Sequence, residues 1–465
     1  MAKARGTRLR RSGVVVLALC LGACATSVTI PPLPDRTPAA FRVAPQAGAL
    51  GPAPDLASWW RAFNDPTLDA LIERALAQNL TLAQAQLRLR GARSLQHRSW
   101  TQFQPQVSFH TFAEPDPNGS TSYFEIGFDA LWEFGFFGRG SANERIAAAD
   151  TLTAETDAAA AHASLIAEVA RSYADLRAAQ ARATILDAIV AARRQKIDFA
   201  TTLLRLRLAV QADVDRARAE FAQAQADAAE PVAAVVQAQE SLRVLLAADD
   251  IDASISAVQA QPQLPQLAFA QTPADLLRTR PEIRRAESAI LHAAGELGIA
   301  RADLYPKLAL GGSLTSSTRM VGDIDHPNKA IPAFGPVIQL PILDWGARRD
   351  VVDAREAALS AALLAYRQAV LEGVAEAQSA LAQLQRQQLR ESASTRSFAA
   401  LEQAAESTRS LRSIGLADGA DSAGATISAA QAQLERTLAT RDASLAFIAL
   451  YKAFGGVLPP SADAR

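Results

Sequence analysis

The chain has 465 residues, with 47 Lys and Arg against 48 Asp and Glu, a formal net charge of −1. That balance, without a basic tail, excludes a binder of nucleic-acid phosphate backbones. Hydrophobic residues make up 49% but aromatics only 6%; the excess is largely Ala and Leu, which suits long, closely packed helices.

Lys3, Arg5, Arg8, Arg10 and Arg11 precede a short apolar run, residues 13–21. The run is too short to span a membrane, and residues 1–23 read as a secretory signal peptide. It ends in Leu21-Gly22-Ala23-Cys24, which resembles the lipobox of bacterial lipoproteins. That resemblance implies a lipid on Cys24, and Ala25 after it is compatible with export to the outer membrane. Cys20 leaves with the signal, so Cys24 is the single mature cysteine and no disulfide forms within the chain. Cleavage removes five basic residues, so 42 positives face 48 negatives, about −6 for the mature chain. Residues 24–58, rich in Pro, Gly and Ala from residue 31 on, read as a tether. No later run of 18 apolar residues occurs, so no helical membrane span is predicted.

The clearest strand signal is residues 122–134. Phe124, Ile126, Phe128, Ala130, Trp132 and Phe134 share one parity; Tyr123, Glu125, Gly127, Asp129, Leu131 and Glu133 share the other. Such alternation makes a strand with one apolar and one polar face, and roughly 9–11 tilted residues cross an outer membrane in a barrel. A partner strand is predicted over residues 106–112, joined by the polar turn Glu114-Pro115-Asp116-Pro117-Asn118-Gly119. From Gly138 to about Gln211 a helical pattern runs without proline; roughly 70 helical residues span on the order of 100 Å. Leu165, Val169 and Leu176, then Leu203, Leu206 and Val210, form stripes at coiled-coil-like spacing. Pro231 is expected to interrupt the returning helix. Gln261-Pro262-Gln263-Leu264-Pro265 links the halves; Thr272-Pro273 opens one helix and Arg280-Pro281 the next. Leu308, Leu310 and Leu314 alternate with polar or small residues, and Phe334, Ile338, Leu340 and Ile342 mark a return strand, with a polar loop between, residues 316–329. Pro336 and Pro341 weaken that return strand as a central one.

The chain also matches itself. Gln104-Pro105-Gln106-Val107 corresponds to Tyr305-Pro306-Lys307-Leu308, 201 positions on, and Phe137-Gly138 corresponds to Trp345-Gly346, 208 positions on. Residues 208–225 align with 416–433 at the same 208, with nine of 18 positions identical. Two copies of one unit follow: residues 59–265, with a β-hairpin at about 105–135, and residues 266–457, with one at about 306–343. Residues 458–465 form a short tail.

Signals for catalysis are absent. His97, His110, His162, His292 and His326 have no metal-ligand spacing, Gly311-Gly312 opens no helix, and no nucleophile has an obvious base. No cofactor, no metal and no enzymatic activity are expected. The pairs Asp249-Asp250 and Asp323/Asp325 read as solvated loops.

Several strings now point one way: Trp59-Trp60 with Phe63, Asp65-Pro66 and Leu68; Leu71-Ile72; Asn79-Leu80; residues 272–284, TPADLLRTRPEIR; and residues 449–456, ALYKAFGG. Together they resemble TolC-like outer membrane efflux lipoproteins of the NodT type, over essentially residues 59–457. Val457 stands where that family has a further Gly and a Trp. The resemblance implies an α+β fold, a trimeric 12-stranded outer-membrane β-barrel, four strands per chain, continuous with a long periplasmic α-helical barrel. It implies a passive exit duct in a homotrimer, served by a periplasmic membrane-fusion adaptor at the helix tips and an inner-membrane pump of the resistance-nodulation-division (RND) class. It also places Asp213 and Asp421, just after the turns between the long helices, near the periplasmic constriction. Arg216 and Gly424 stand where the family often has a second acid, and Arg216 is available to a neighbouring hairpin's carboxylate. An alternative role for both aspartates is helix capping. Alternative functions are the duct of a type I protein-secretion system and a lipid-anchored periplasmic structural protein.

Overall fold

A computed structural model describes residues 28–32, 58–114, 123–251, 253–264, 280–319 and 330–455. The signal peptide, Cys24, most of the tether, the turn before Tyr123, the Thr272-Pro273 helix start and the tail lie outside the described residues.

A 3-10 turn, Trp59–Phe63, leads into α1 (Pro66–Gln78) and α2 (Leu80–Thr101). Strands β1 (Gln106–Glu114) and β2 (Tyr123–Glu133) follow, then α3 (Arg139–Arg205) and α4 (Gln211–Leu245). The second half runs α5 (Pro281–Ala302), β3 (Lys307–Arg319), β4 (Ala330–Gln339), α6 (Ala347–Ser413) and α7 (Gly419–Ala453). Counterparts have equal lengths: 22 residues in α2 and α5, 67 in α3 and α6, 35 in α4 and α7. Several features depart from expectation. Helix α4 passes through Pro231, which is buried; one lost backbone bond does not break a helix held by packing along its length. Strand β3 extends through residues 316–319, which were expected to be loop, because β2 supplies hydrogen-bonding partners along its whole length. Strand β4 starts at Ala330 and ends before Pro341.

The chain divides into two compact units, each drawing on both halves. One comprises Met1–Asp35, Leu87–Thr156 and Arg284–Ala369. Its sheet is antiparallel in the order β1-β2-β3-β4. Phe128 lies opposite Phe109 and Leu314, and Ala130 opposite Val107 and Gly312, so β1 through β3 share one apolar face. The Phe134 N–H donates to Leu308 O, so even-numbered residues of β2 and β3 exchange bonds. By alternation the odd-numbered residues of β3 and β4 bond each other. Pro332 and Pro336 therefore turn their ring nitrogens to the open edge and cost the β3·β4 ladder nothing. The helical part is held by Thr153 and Ser288, whose hydroxyls lie 2.8 Å apart, and by a bond from Arg355 to Glu296. Val28 is buried among Ile290, Leu297 and Leu359, and its carbonyl accepts from Arg145 at 3.1 Å, so the chain is docked here at residue 28.

The other unit comprises Arg36–Gln86, Asp157–Ile283 and Val370–Arg465. Its core explains the aromatic string. Trp59 stacks on Tyr451 at 5.0 Å and meets Phe447 edge-on, and Phe63 does the same with Phe447. Asp65 caps α1 through the Thr67 and Leu68 N–H groups, while its other oxygen accepts from Tyr173 Oη at 2.7 Å. Burial, with the bond to Asp65, pushes Tyr173 up to about 12. Asn79 accepts from the Leu82 N–H and donates to Leu245 O, tying the start of α2 to the end of α4. Arg177 is fully buried, over the Tyr173 ring and donating to Ala257 O. Leu165, Val169 and Leu176 are buried as the stripe predicts, but Leu206 and Val210 are exposed because α3 ends at Arg205.

Candidate functional site

The sheet presents two chemically different faces. Phe109, Phe128, Ile126 and Phe334 stand exposed on one. The other carries Glu125, Asp129 and Glu133 from β2, and His110 Nδ1 lies 2.8 Å from Asp129 Oδ2. His110 was legible only as an isolated histidine; the diagonal pairing across β1 and β2 comes from the strand register. An apolar face that nothing among the described residues covers, backed by an acidic one, is what a wall between lipid and water requires. Both outer edges, β1 and β4, lack a partner strand among the described residues.

The second feature is the pair of turns between the long helices, both in the second unit. Arg207 (φ 59°) and Gly415 (φ 78°), 208 positions apart, take the left-handed conformation that ends α3 and α6. The bonds are the same at each: Leu208 N–H to Leu203 O, and Leu416 N–H to Leu411 O, both 2.9 Å. Gly419 serves a different purpose, because a Cβ there would lie 2.9 Å from the Phe199 ring. Leu206, Leu208, Val210, Ile414 and Leu416 project exposed from the two turns, and no sequence signal announced that cluster.

Asp213 and Asp421 both fall in the first turn of the returning helix. The Asp213 carboxylate, at the third position of α4, accepts the N–H of Val210, the residue that precedes the helix, at 3.1 Å. In α7 the cap is Asp418, which accepts from the Asp421 N–H at 2.7 Å, and the Asp421 carboxylate stays exposed. Arg216 is exposed and makes no ion pair among the described residues. A groove lined by Asp175, Arg182, Glu230 and Arg441 neutralises itself, with Arg441 on Asp175 at 2.7 Å and Arg182 on Glu230 at 3.1 Å. No three metal-binding side chains cluster among the described residues, and no described helix is long and apolar enough to cross a membrane.

Comparison with known proteins agrees with this geometry. Nodulation protein T of Rhizobium leguminosarum bv. viciae is 28% identical over 430 residues, covering 89% of this chain and 85% of that protein. The pyoverdine export outer membrane protein OpmQ of Pseudomonas aeruginosa is 28% identical, covering 96% and 97%. Among solved structures, the outer-membrane channel OprN superposes with a TM-score of 0.79 at 26% identity, over 94% of this chain and all of that one. CusC has the same fold, with a TM-score of 0.76 at 23% identity, over 92% and 99%. The family model described as outer membrane efflux protein matches residues 71–248 and again 272–456. The chain belongs to the outer membrane efflux protein family.

Proposed function

We propose that this chain is the outer-membrane channel of a tripartite efflux system, a passive duct for substrate loaded by an RND-type inner-membrane pump and passed on through a periplasmic membrane-fusion adaptor. The observation that carries this reading is the four-stranded sheet with a bare apolar face and two open edges. An unpaired edge in lipid leaves backbone groups without partners. Around eight strands is the practical minimum for closure, and a barrel that small fills with side chains. Three copies bring twelve strands around an open lumen. A homotrimer is therefore the proposed assembly, with the paired long helices forming a periplasmic helical barrel. The equal helix lengths and the twofold family match support descent from a duplicated unit.

The apolar turns at Leu206–Val210 and Ile414–Leu416 are the surface offered to the adaptor, and Asp213 and Asp421 lie beside them near the closed aperture. Relatives are named for pyoverdine export, toluene efflux and cation efflux, so the names do not select a cargo.

In detergent, light scattering gives a trimer, and in planar bilayers the protein forms cation-selective channels. Asp213→Ala/Asp421→Ala lowers that selectivity. A monomer that still inserts into bilayers overturns the trimer. Unchanged selectivity, with unfolding easier by about 1 kcal/mol, leaves Asp213 a helix cap only.

Cys24 is the proposed lipid anchor. Val28 is docked in the unit that bears the sheet, and four residues of chain reach at most about 14 Å. Intact mass of the mature protein equals residues 24–465 plus a diacylglyceryl group and an N-acyl chain; an unmodified mass with cleavage elsewhere removes the anchor.

A further inference from the structure

We propose that Glu391 and Gln387 form a proton-operated layer in the seam between α6 and α7, which tightens the second long-helix hairpin in acid and has no counterpart in the first. The layer lies within one chain, so it stands or falls apart from the channel reading. Only its consequence for a periplasmic duct rests on that reading.

Helix α6 meets α7 along a seven-residue repeat. Ala377, Leu384, Glu391, Phe398 and Ala405 recur at that spacing, and Ala377, Leu384 and Ala405 are buried. Leu381 and Gln387, both buried, fill positions between them. This is the seam pattern of a coiled coil, where a polar residue costs stability and is kept for what it specifies. The first hairpin shows the pattern without the exception. Set back by 208, the same positions of α3 are Val169, Leu176, Ala183, Val190 and Ile197, and Gln387 becomes Ala179. A carboxyl and an amide thus stand in one seam where the other has two alanines.

The amide is unsatisfied. Gln387 Oε1 is sealed from solvent and has no donor among the described residues. Glu391 lies at i+4, where Cβ atoms on one helix face are about 5–6 Å apart. An ionised carboxylate offers that oxygen only acceptors, whereas a protonated carboxyl has the O–H donor it lacks. Burial pushes the Glu391 carboxyl up, and a bond from the Thr440 hydroxyl on α7 opposes the shift without cancelling it. The charged groups at this level are engaged elsewhere. Arg390 reaches Asp442 at 3.1 Å and Glu435 at 3.4 Å, Arg441 pairs with Asp175, and the Arg436 guanidinium lies over the Phe398 ring. None of them holds Glu391 ionised.

The direction of the response follows from proton binding. A carboxyl whose pKa is higher in the folded chain than in the unfolded one binds its proton more tightly when folded. The stability it contributes is full below the ordinary glutamate range and is lost as pH rises through the raised value. In acid, Glu391 donates to Gln387 Oε1 and the layer is closed. As pH rises, a half-buried charge faces a bare amide oxygen, and the seam loosens at this level. In a periplasmic duct, the hairpin that turns at Gly415 therefore stiffens in acid and the one that turns at Arg207 does not.

Chemical unfolding of the full-length protein in detergent, followed by helical circular dichroism from about pH 4 to about pH 8, tests this. Glu391→Gln is a neutral stand-in for the protonated acid. Its midpoint coincides with that of the unsubstituted protein at the acid end and lies above it at the alkaline end, the gap opening as pH rises. Gln387→Met keeps the shape and removes the acceptor, so the stability gained on acidification shrinks. Local opening is read by maleimide labelling of Ser394→Cys, close to one turn beyond Glu391. At about pH 8, adding Glu391→Gln slows that labelling and leaves the labelling of Leu186→Cys, the matching position in α3, unchanged. A midpoint offset between the unsubstituted protein and Glu391→Gln that is the same at every pH overturns the proton dependence. A higher midpoint for the unsubstituted protein at about pH 8 overturns it too, because the Gln387 amide then donates through its nitrogen to an ionised Glu391. An acid gain undiminished in Gln387→Met overturns the part given to Gln387.

Discussion

Arg280→Ala lowers the unfolding free energy by about 2 kcal/mol. Arg280 is 4% exposed and sits where the linker enters α5. Its Nη1 donates to Gly373 O at 3.1 Å and to Ala453 O at 2.9 Å, and Nη2 pairs with Glu376. Ala453 ends α7, so its carbonyl is one of the four that a helix leaves without an internal partner. Removing the guanidinium strands the Ala453 carbonyl in a dry site, at about 1–3 kcal/mol, whereas Gly373 lies inside α6 and its carbonyl belongs to the helix's own ladder. The loss of Glu376 adds little, because that side chain is 58% exposed. Arg280→Lys keeps the charge but cannot fork between two carbonyls and a carboxylate, so its loss is intermediate. Gly455→Ala acts at the same place from the other side. Gly455 has φ 87°, which costs an L-residue about 1–2 kcal/mol, and an added Cβ would lie 2.7 Å from Arg280 Cα. Chemical unfolding in detergent, followed by helical circular dichroism, measures all three. An Arg280→Ala loss below about 1 kcal/mol contradicts a capping role for this guanidinium.

That cluster shows what sequence patterning reaches and what it does not. Arg280-Pro281 and Phe454-Gly455 were readable as strings 174 positions apart, but their common purpose is a contact in space. The long helices and β2 were legible because their signals are local: unbroken helix formers in the first case, strict alternation in the second. Helix ends were less so. Both turns close with left-handed residues at positions 207 and 415, and only one of these is glycine, so the other carried no signal. The far end of β3 was hidden for a different reason. Thr315, Ser316, Ser317 and Thr318 offer no contrast between faces, and their strand character comes from pairing with β2. Capping of α7 was the alternative role read for Asp421, but Asp418 accepts the backbone bond instead, and a choice between acids three positions apart lies below what spacing resolves. Pro231 misled because its cost is about 3 kcal/mol while the packing around a long helix is worth more.

Phe128→Arg prevents the protein from accumulating in the outer membrane, whereas Ser313→Arg does not. Phe128 is the middle residue of β2, packs on Phe109 at 5.3 Å and faces outward with 51% of its surface uncovered. On the lipid side of a barrel, Arg at mid-depth costs about 2–4 kcal/mol. The proposed trimer would contain the substitution three times, so the assembly would lose roughly 6–12 kcal/mol, comparable to the whole stability of a typical protein. Ser313 lies on the opposite face, between Asp129 and Ala333. An arginine there stays in water and neutralises Asp129, so the barrel assembles and its cation preference falls. Phe128→Leu keeps the apolar face and costs little beyond one aromatic contact, about 1 kcal/mol. Outer-membrane fractionation and bilayer conductance read the three variants side by side. Loss of Ser313→Arg with survival of Phe128→Arg would mean that the acidic face meets lipid, which a row of carboxylates does not tolerate. Survival of both would mean that the sheet is not in lipid at all, and the open edges of β1 and β4 would then need some partner other than their own copies.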